Sequence, residues 1–210
     1  MLALEERIIQ ELVPEISNVD VHLDFAGGTG RMCTLLEPYT GQQILLDVSK
    51  SMLSVASRNC PNARQINMDF REIGPEIEDA SIDLVTAFRF FPNAEPELQS
   101  DAIEFLSAKL KPGACLICNN HRNFWSIPYT LARLTFLSAD VGMTNKDMIS
   151  MASRHGLELQ ATISAGLLPQ NDRNAILPWK LTERLEHFIL GAWGRNHRLG
   201  YNVVFLFRKT

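Results

Sequence analysis

The sequence has no long apolar run. Its 210 residues are 46% hydrophobic, yet no stretch approaches the roughly 20 residues that span a bilayer, so a membrane-spanning helix is not expected. Cysteine is scarce, at four residues, too few for a disulfide scaffold. Cys115 and Cys118 form a CLIC run without a second pair downstream, and a zinc site would need more ligands at matched spacing. No metal is therefore expected, and these two cysteines should sit in a buried strand as small apolar residues. With 12 Gly and 10 Pro, neither collagen-like nor low-complexity sequence is present, and no internal repeat is visible. The first residues, MLALEERIIQEL, lack the basic and apolar regions of a signal peptide, which makes a cytoplasmic location the expectation. The net charge is −4 and there is no dense Lys/Arg stripe, which argues against a nucleic-acid partner. What is present suits one soluble globular domain, residues 1–210, long enough to bury a core.

Charge is unevenly spread. Residues 1–118 carry a balance of −9 and residues 119–210 one of +5. This is either a solvated surface with chance asymmetry or a back half that attracts an anionic substrate.

Apolar periodicity alternates between two kinds along the chain. Leu4, Ile8, Leu12 and Ile16 recur at helical spacing, predicting a helix over about 2–16. Val19, Val21, Leu23 and Phe25 alternate, predicting a strand that runs into Ala26-Gly27-Gly28-Thr29-Gly30. A helix-like RMCTLLEPY follows, then a strand QQILLDV ending near Asp47 and a helix capped by Ser49 or Ser51. ARQINMDF reads as a strand ending at Asp69, and IDLVTAFRF as a buried central strand. A helix over about 94–110 should be stopped by Lys111-Pro112-Gly113, followed by a strand at 114–119. Helices are expected at 124–137, 145–155 and 178–193, and strands at 157–164 and 201–207. The class is α/β: a Rossmann-like, seven-stranded, mostly parallel sheet with helices on both faces. Substrate-side insertions are expected at about 121–143 and 166–199. Right-handed crossovers place the strand C-termini, and any ligand, along one edge of the sheet.

Three carboxylates fall on that edge. Asp24, Asp47 and Asp69 are 23 and 22 residues apart, and the first precedes a glycine turn that opens a helix. Such a turn lets a ligand approach the backbone closely. An acidic residue about 20 positions further on suits a ribose diol. The same three aspartates could instead act as helix caps or turn formers. A dinucleotide fingerprint is lacking, because Gly28-Thr29-Gly30-Arg31-Met32-Cys33 ends on Cys33 rather than Gly or Ala. Asp24 beside the turn would repel a pyrophosphate and attract a cation. S-adenosylmethionine has no phosphate and carries a sulfonium and an ammonium, so the electrostatics favour it over a nicotinamide dinucleotide.

HLDFAGGTGR resembles the first motif of class I S-adenosylmethionine-dependent methyltransferases, Asp-x-Gly-x-Gly-x-Gly, with Ala26 at the first glycine and Gly28 and Gly30 at the others. The resemblance implies the Rossmann-like methyltransferase fold and a cofactor site. Asp47 would hold the ribose, with Val48 and Met52 beside the adenine. In NMDF, Asp69 would hold the adenine amino group, flanked by Met68 and Phe70. IDLVTAFRFFPN is similar to the fourth-strand motif, where Ala87 and Phe88 would face the methionine part. LKPGACLICNN is similar to the stretch through the fifth strand. The front half looks most like small-molecule members, such as quinone-biosynthesis methyltransferases. An Asn-Pro-Pro-Tyr type tetrapeptide, which many base-aminomethylating relatives carry, does not occur after the fourth strand; Phe88-Arg89-Phe90-Phe91 stands there.

The expected function is in-line methyl transfer to a small-molecule acceptor, anionic or lipid-linked. The alternatives are a non-catalytic cofactor-binding module working through protein interaction and an NAD-dependent reductase. Catalytic candidates are His121, as a general base or a loop histidine that merely caps a helix, and Arg89. Arg89 lies in an apolar run, so burial and a partner are expected of it: a carboxylate of cofactor or substrate, or an acidic core residue. His155 reads as structural, at a helix C-terminus. Phe124, Trp125, Tyr129 and Phe136 are candidates for the acceptor pocket, and Trp179 for a lid.

Overall fold

His22 and Asp24 face one side of strand β1 (Val19–Phe25), Leu23 and Phe25 face the other, and all four are buried. A strand buried on both faces must lie inside a covered sheet. In the computed structural model, which describes residues 8–16, 19–121, 123–126, 143–165 and 200–210, β1 pairs in parallel with β2 (Thr40–Leu46) on one side and β4 (Ile82–Ala87) on the other. The sheet has seven strands in the order β3-β2-β1-β4-β5-β7-β6. The remaining strands are β3 (Arg64–Ile66), β5 (Leu110–Asn120), β6 (Leu157–Ala165) and β7 (Asn202–Lys209). β7 is antiparallel to both of its neighbours. The order reverses between β1 and β4, which makes the C-terminal ends of those strands the place for a ligand.

The described helices are α1 (Arg31–Leu36), α2 (Lys50–Asn59), α3 (Pro96–Lys109) and α4 (Asn145–Arg154). α3 and α4 pack on the face that carries Leu23, Phe25, Val85, Phe205 and Phe207. α1 and the helical residues 8–12 cover the opposite face, on Leu84, Ile117, Val204 and Leu206. Alternate residues of β7 thus enter the two halves of the core, as the period of a strand requires. Caps set the helix starts. The Ser49 hydroxyl accepts the Met52 N–H, and Thr144 with Asp147 forms a capping box on α4, such devices being worth about 1 kcal/mol each.

Three sequence expectations shift. Lys111-Pro112-Gly113 does not separate helix from strand: it lies inside β5 as an irregularity, with Leu110 opposite Ile82 and Cys115 opposite Leu84. β3 stops at Ile66, three residues before Asp69. Residues 124 and 125 form a turn rather than the start of a helix. Most of the 124–137 helix, all of the 178–193 helix, the start of the N-terminal helix and nearly all of both insertions lie outside the described residues. Cys115 and Cys118 are buried in β5, as read.

Candidate functional site

The turn after β1 is held from below and left open above. Ala26, Gly28 and Gly30 all have left-handed backbone, with φ of 51, 58 and 77°. For Ala26 this costs about 1–2 kcal/mol that a glycine would not incur. The Gly30 N–H closes the turn on the Gly27 carbonyl at 3.0 Å. A side chain at Gly30 would meet Cys60 Sγ at 2.2 Å, so this glycine serves the packing of the turn onto the end of α2. At Gly28 an added Cβ would meet nothing within 4 Å, so this is where a ligand can reach the backbone.

Asp47 follows β2 directly and joins two loops. Its Oδ2 accepts the Gly28 N–H and its Oδ1 accepts the Ser49 N–H, both at 2.8 Å. Each oxygen keeps lone-pair capacity for a further donor. Beside it, Val48 is 67% exposed and Met52 47% exposed. Two exposed apolar side chains next to a half-buried carboxylate form a surface that suits a flat aromatic base joined to a diol. The turn, Asp47, Val48 and Met52 thus lie together at one edge of the sheet.

Asp69 lies at the same edge, but its carboxylate is engaged. It caps a 3-10 turn (Phe70–Glu72) by accepting the Arg71 N–H, and the Arg71 guanidinium grips both of its oxygens at 3.0 and 2.7 Å. These bonds hold its carboxyl below the usual range. The turn-forming role weighed for the aspartates is thus realised here. Met68 is partly buried against the core. The Phe70 ring is spent on the core, edge-on to Phe25 at 5.3 Å and beside Phe105 at 5.4 Å. Ala87 is fully buried, and Phe88 is buried on the opposite face with Ile117.

Arg89 corrects the sequence reading. It is exposed rather than buried, because a left-handed residue (φ 60°) breaks the strand alternation right after Phe88. Asn119 Oδ1 secures that turn by accepting the Arg89 N–H at 2.7 Å.

Past β5, amides organise the edge. Asn119 Nδ2 donates to Asn202 Oδ1, Asn120 Nδ2 to the Met143 carbonyl and to Asn145 Oδ1, and Asn123 Nδ2 to the Gly200 carbonyl. All five asparagines are buried. His121 sits on this framework, partly buried. Phe124 and Trp125 stack edge to face at 5.0 Å, with Trp125 62% exposed. Tyr129, Phe136 and Trp179 lie outside the described residues. His155 caps the C-terminal end of α4, the structural place expected of it.

Two features were missed from sequence. A Cβ at Gly27 would stand 2.6 Å from Asp24 Cγ and Oδ2, so this glycine, and not only those of the motif spacing, is required by the buried carboxylate. Asp24 is 1% exposed, and burial pushes its carboxyl up to about 6 against the pull of the Thr86 hydrogen bond. Its neighbour His22 is pushed down to about 3 by burial. Adjacent spacing hinted at neither. Among the described residues, no helix is long and apolar enough to cross a membrane, and no three His, Cys, Asp or Glu gather as a metal site.

With this geometry in hand, residues 23–113 match the family model described as a methyltransferase domain. Among solved structures, the chain is similar to a SAM-dependent methyltransferase from Archaeoglobus fulgidus, with 15% identity, a TM-score of 0.67, and 100% of this chain and 95% of that one covered. It is similar to the N-methyltransferase NodS from Bradyrhizobium japonicum WM9 in complex with S-adenosyl-L-homocysteine, at 13% identity and TM-score 0.66, covering 98% and 85%. A S-adenosylmethionine-dependent methyltransferase from Clostridium acetobutylicum ATCC 824 matches at 14% identity and TM-score 0.65, covering 96% and 89%. Among curated proteins no sequence match is found.

Proposed function

We propose that this chain is a class I S-adenosylmethionine-dependent methyltransferase that methylates a small-molecule acceptor by in-line transfer; the match of residues 23–113 to a methyltransferase-domain model and the strand order of the sheet support this reading. When bound, the donor supplies a methyl group already activated by a positively charged sulfur. The chain's own work is to hold donor and acceptor in line and to keep water out. Asp47 and the open face of Gly28 receive the adenosyl part, with Val48 and Met52 beside the base. Asp69 stays available to the base amino group through the lone pairs Arg71 does not use.

The observation that carries the acceptor side is the asparagine framework. It ties β4, β5, β7 and α4 together by amide hydrogen bonds, so the segment bearing His121 is fixed before any acceptor arrives, as a preorganised site requires. In this reading His121 would take a proton from a hydroxyl acceptor, with the exposed Trp125 as an apolar wall. Arg89, exposed at the end of β4, offers a cation to an anionic or lipid-linked acceptor, in keeping with the positive balance of residues 119–210.

The test is methyl transfer from isotope-labelled S-adenosylmethionine to panels of small phenols, amines and carboxylates, and to bulk protein, RNA and DNA. Label should enter small molecules only. With a hydroxyl acceptor, His121→Ala should lower turnover by about 10²–10⁴-fold, the usual worth of a general base. Label appearing in protein or nucleic acid defeats the small-molecule reading.

A further inference from the structure

A buried chain of three polar groups runs under the glycine turn. The Thr86 hydroxyl donates to Asp24 Oδ1 at 2.9 Å, and His22 Nε2 lies 2.8 Å from the same hydroxyl oxygen. The single hydroxyl proton is committed to Asp24, so Nε2 must carry a proton and donate it to Thr86. His22 Nδ1 is then the bare nitrogen and has no hydrogen-bond partner, whereas the Asp24 carboxyl is drawn down, against burial, by Thr86 and by the backbone N–H and thiol of Cys33. All three side chains are buried. A carboxylate taken out of water is costly as an anion unless a cation stands near.

We propose that His22 and Thr86 are positioning residues, forming a one-directional relay that fixes Asp24 beneath the glycine turn so that its charge favours the sulfonium-bearing donor over the product, whose sulfur is neutral. The inference rests on the S-adenosylmethionine reading above and concerns how donor and product are told apart.

The surroundings leave Asp24 as the group that responds. β1 contributes His22, which burial keeps neutral. β4 contributes Thr86, which does not titrate. α1 contributes Arg31, whose cation draws the Asp24 carboxyl down, and Cys33, whose thiol burial pushes up. Cys60, at the end of α2, is pushed up as well. Between pH 5 and 8 only Asp24 changes charge in this set, since its carboxyl is raised to about 6. A ligand that binds the ionised form better must release a proton on binding, and its affinity falls as pH drops through that value. The donor carries one more positive charge than the product, so the donor should show the effect more strongly.

The experiment is calorimetry on the chain with S-adenosylmethionine and with S-adenosylhomocysteine, from pH 5 to 8, in two buffers of different ionisation enthalpy. In the wild type, the ratio of product Kd to donor Kd should be at least threefold larger at pH 8 than at pH 5, with more proton released by the donor. Thr86→Val removes the bond that favours the carboxylate, so the inflection should move up by at least half a pH unit. Thr86→Ser, which restores the hydroxyl, should return it. His22→Phe, which leaves Thr86 without its donor, should move it in the same direction as Thr86→Val. A ratio that does not vary with pH, or equal displacement by Thr86→Val and Thr86→Ser, overturns the relay. If the folded wild type binds neither ligand at any pH, the methyltransferase reading falls first and the relay with it.

Discussion

Asp47→Ala should bind S-adenosylhomocysteine at least 100-fold more weakly than the wild type. The carboxylate already accepts the Gly28 and Ser49 N–H groups, one on each oxygen, so its position is set by the two loops it joins. In the proposed site its remaining lone pairs would accept from a ribose diol. Hydrogen bonds to a charged group contribute about 1.5–3 kcal/mol each, and two of them cover the roughly 2.8 kcal/mol that 100-fold represents. The alanine also releases the Gly28 N–H and loosens the turn against which the ligand rests. Asp47→Asn keeps one acceptor oxygen and should fall between the two. Calorimetry measures all three, and binding by Asp47→Ala within threefold of the wild type would remove this residue from the site.

Gly27→Ala should lower stability through a direct clash with the buried Asp24 carboxylate. Its new Cβ would lie 2.6 Å from Asp24 Cγ and Oδ2 and 3.1 Å from Asp24 Cβ. The carboxylate cannot step aside easily, because it is enclosed and tied to Thr86. Overpacking of this kind costs about 1–3 kcal/mol, and each kcal/mol lowers Tm by about 2–4 °C in a chain of this size. A fall of about 2–12 °C by thermal unfolding follows from those two ranges. Gly28→Ala is the contrast. It meets nothing within 4 Å, so its cost is the about 1–2 kcal/mol of its left-handed backbone, yet its Cβ would occupy the space a ligand needs. It should therefore keep most of its Tm and lose ligand binding. Equal melting of Gly27→Ala and wild type would show that Asp24 does not sit where the turn requires it.

These two residues also mark what the sequence could and could not reveal. The parallel sheet was readable because β1 alternates at strand period and apolar strands alternate with helices along the chain, and Asp47 as an edge residue because it ends a strand about 20 positions after the glycine turn. Gly27 was passed over since motif spacing picks out Ala26, Gly28 and Gly30, whereas the reason for Gly27 is a contact with Asp24. The His22–Thr86–Asp24 chain depends on the β1–β4 register, with His22 and Thr86 64 residues apart, and no local pattern records it. Asp69 was legible as an edge residue, but the direction of the Arg71 side chain, which turns it into a fork, was not. Phe70 and Phe88 share a motif with site residues yet pack into the core, because hydrophobic side chains beside a site serve packing first. Arg89 was read as buried between phenylalanines, and one left-handed residue reverses that.

The decisive experiment is a titration of the chain with S-adenosylhomocysteine, set beside an identical titration with NADH. The Asp47–Gly28 site should take up one equivalent of S-adenosylhomocysteine with a Kd on the order of 1–100 µM, within the usual span for enzyme ligands, and NADH should give no heat. NADH binding without S-adenosylhomocysteine binding at millimolar concentration would contradict the assignment of this turn to an adenosyl sulfonium donor.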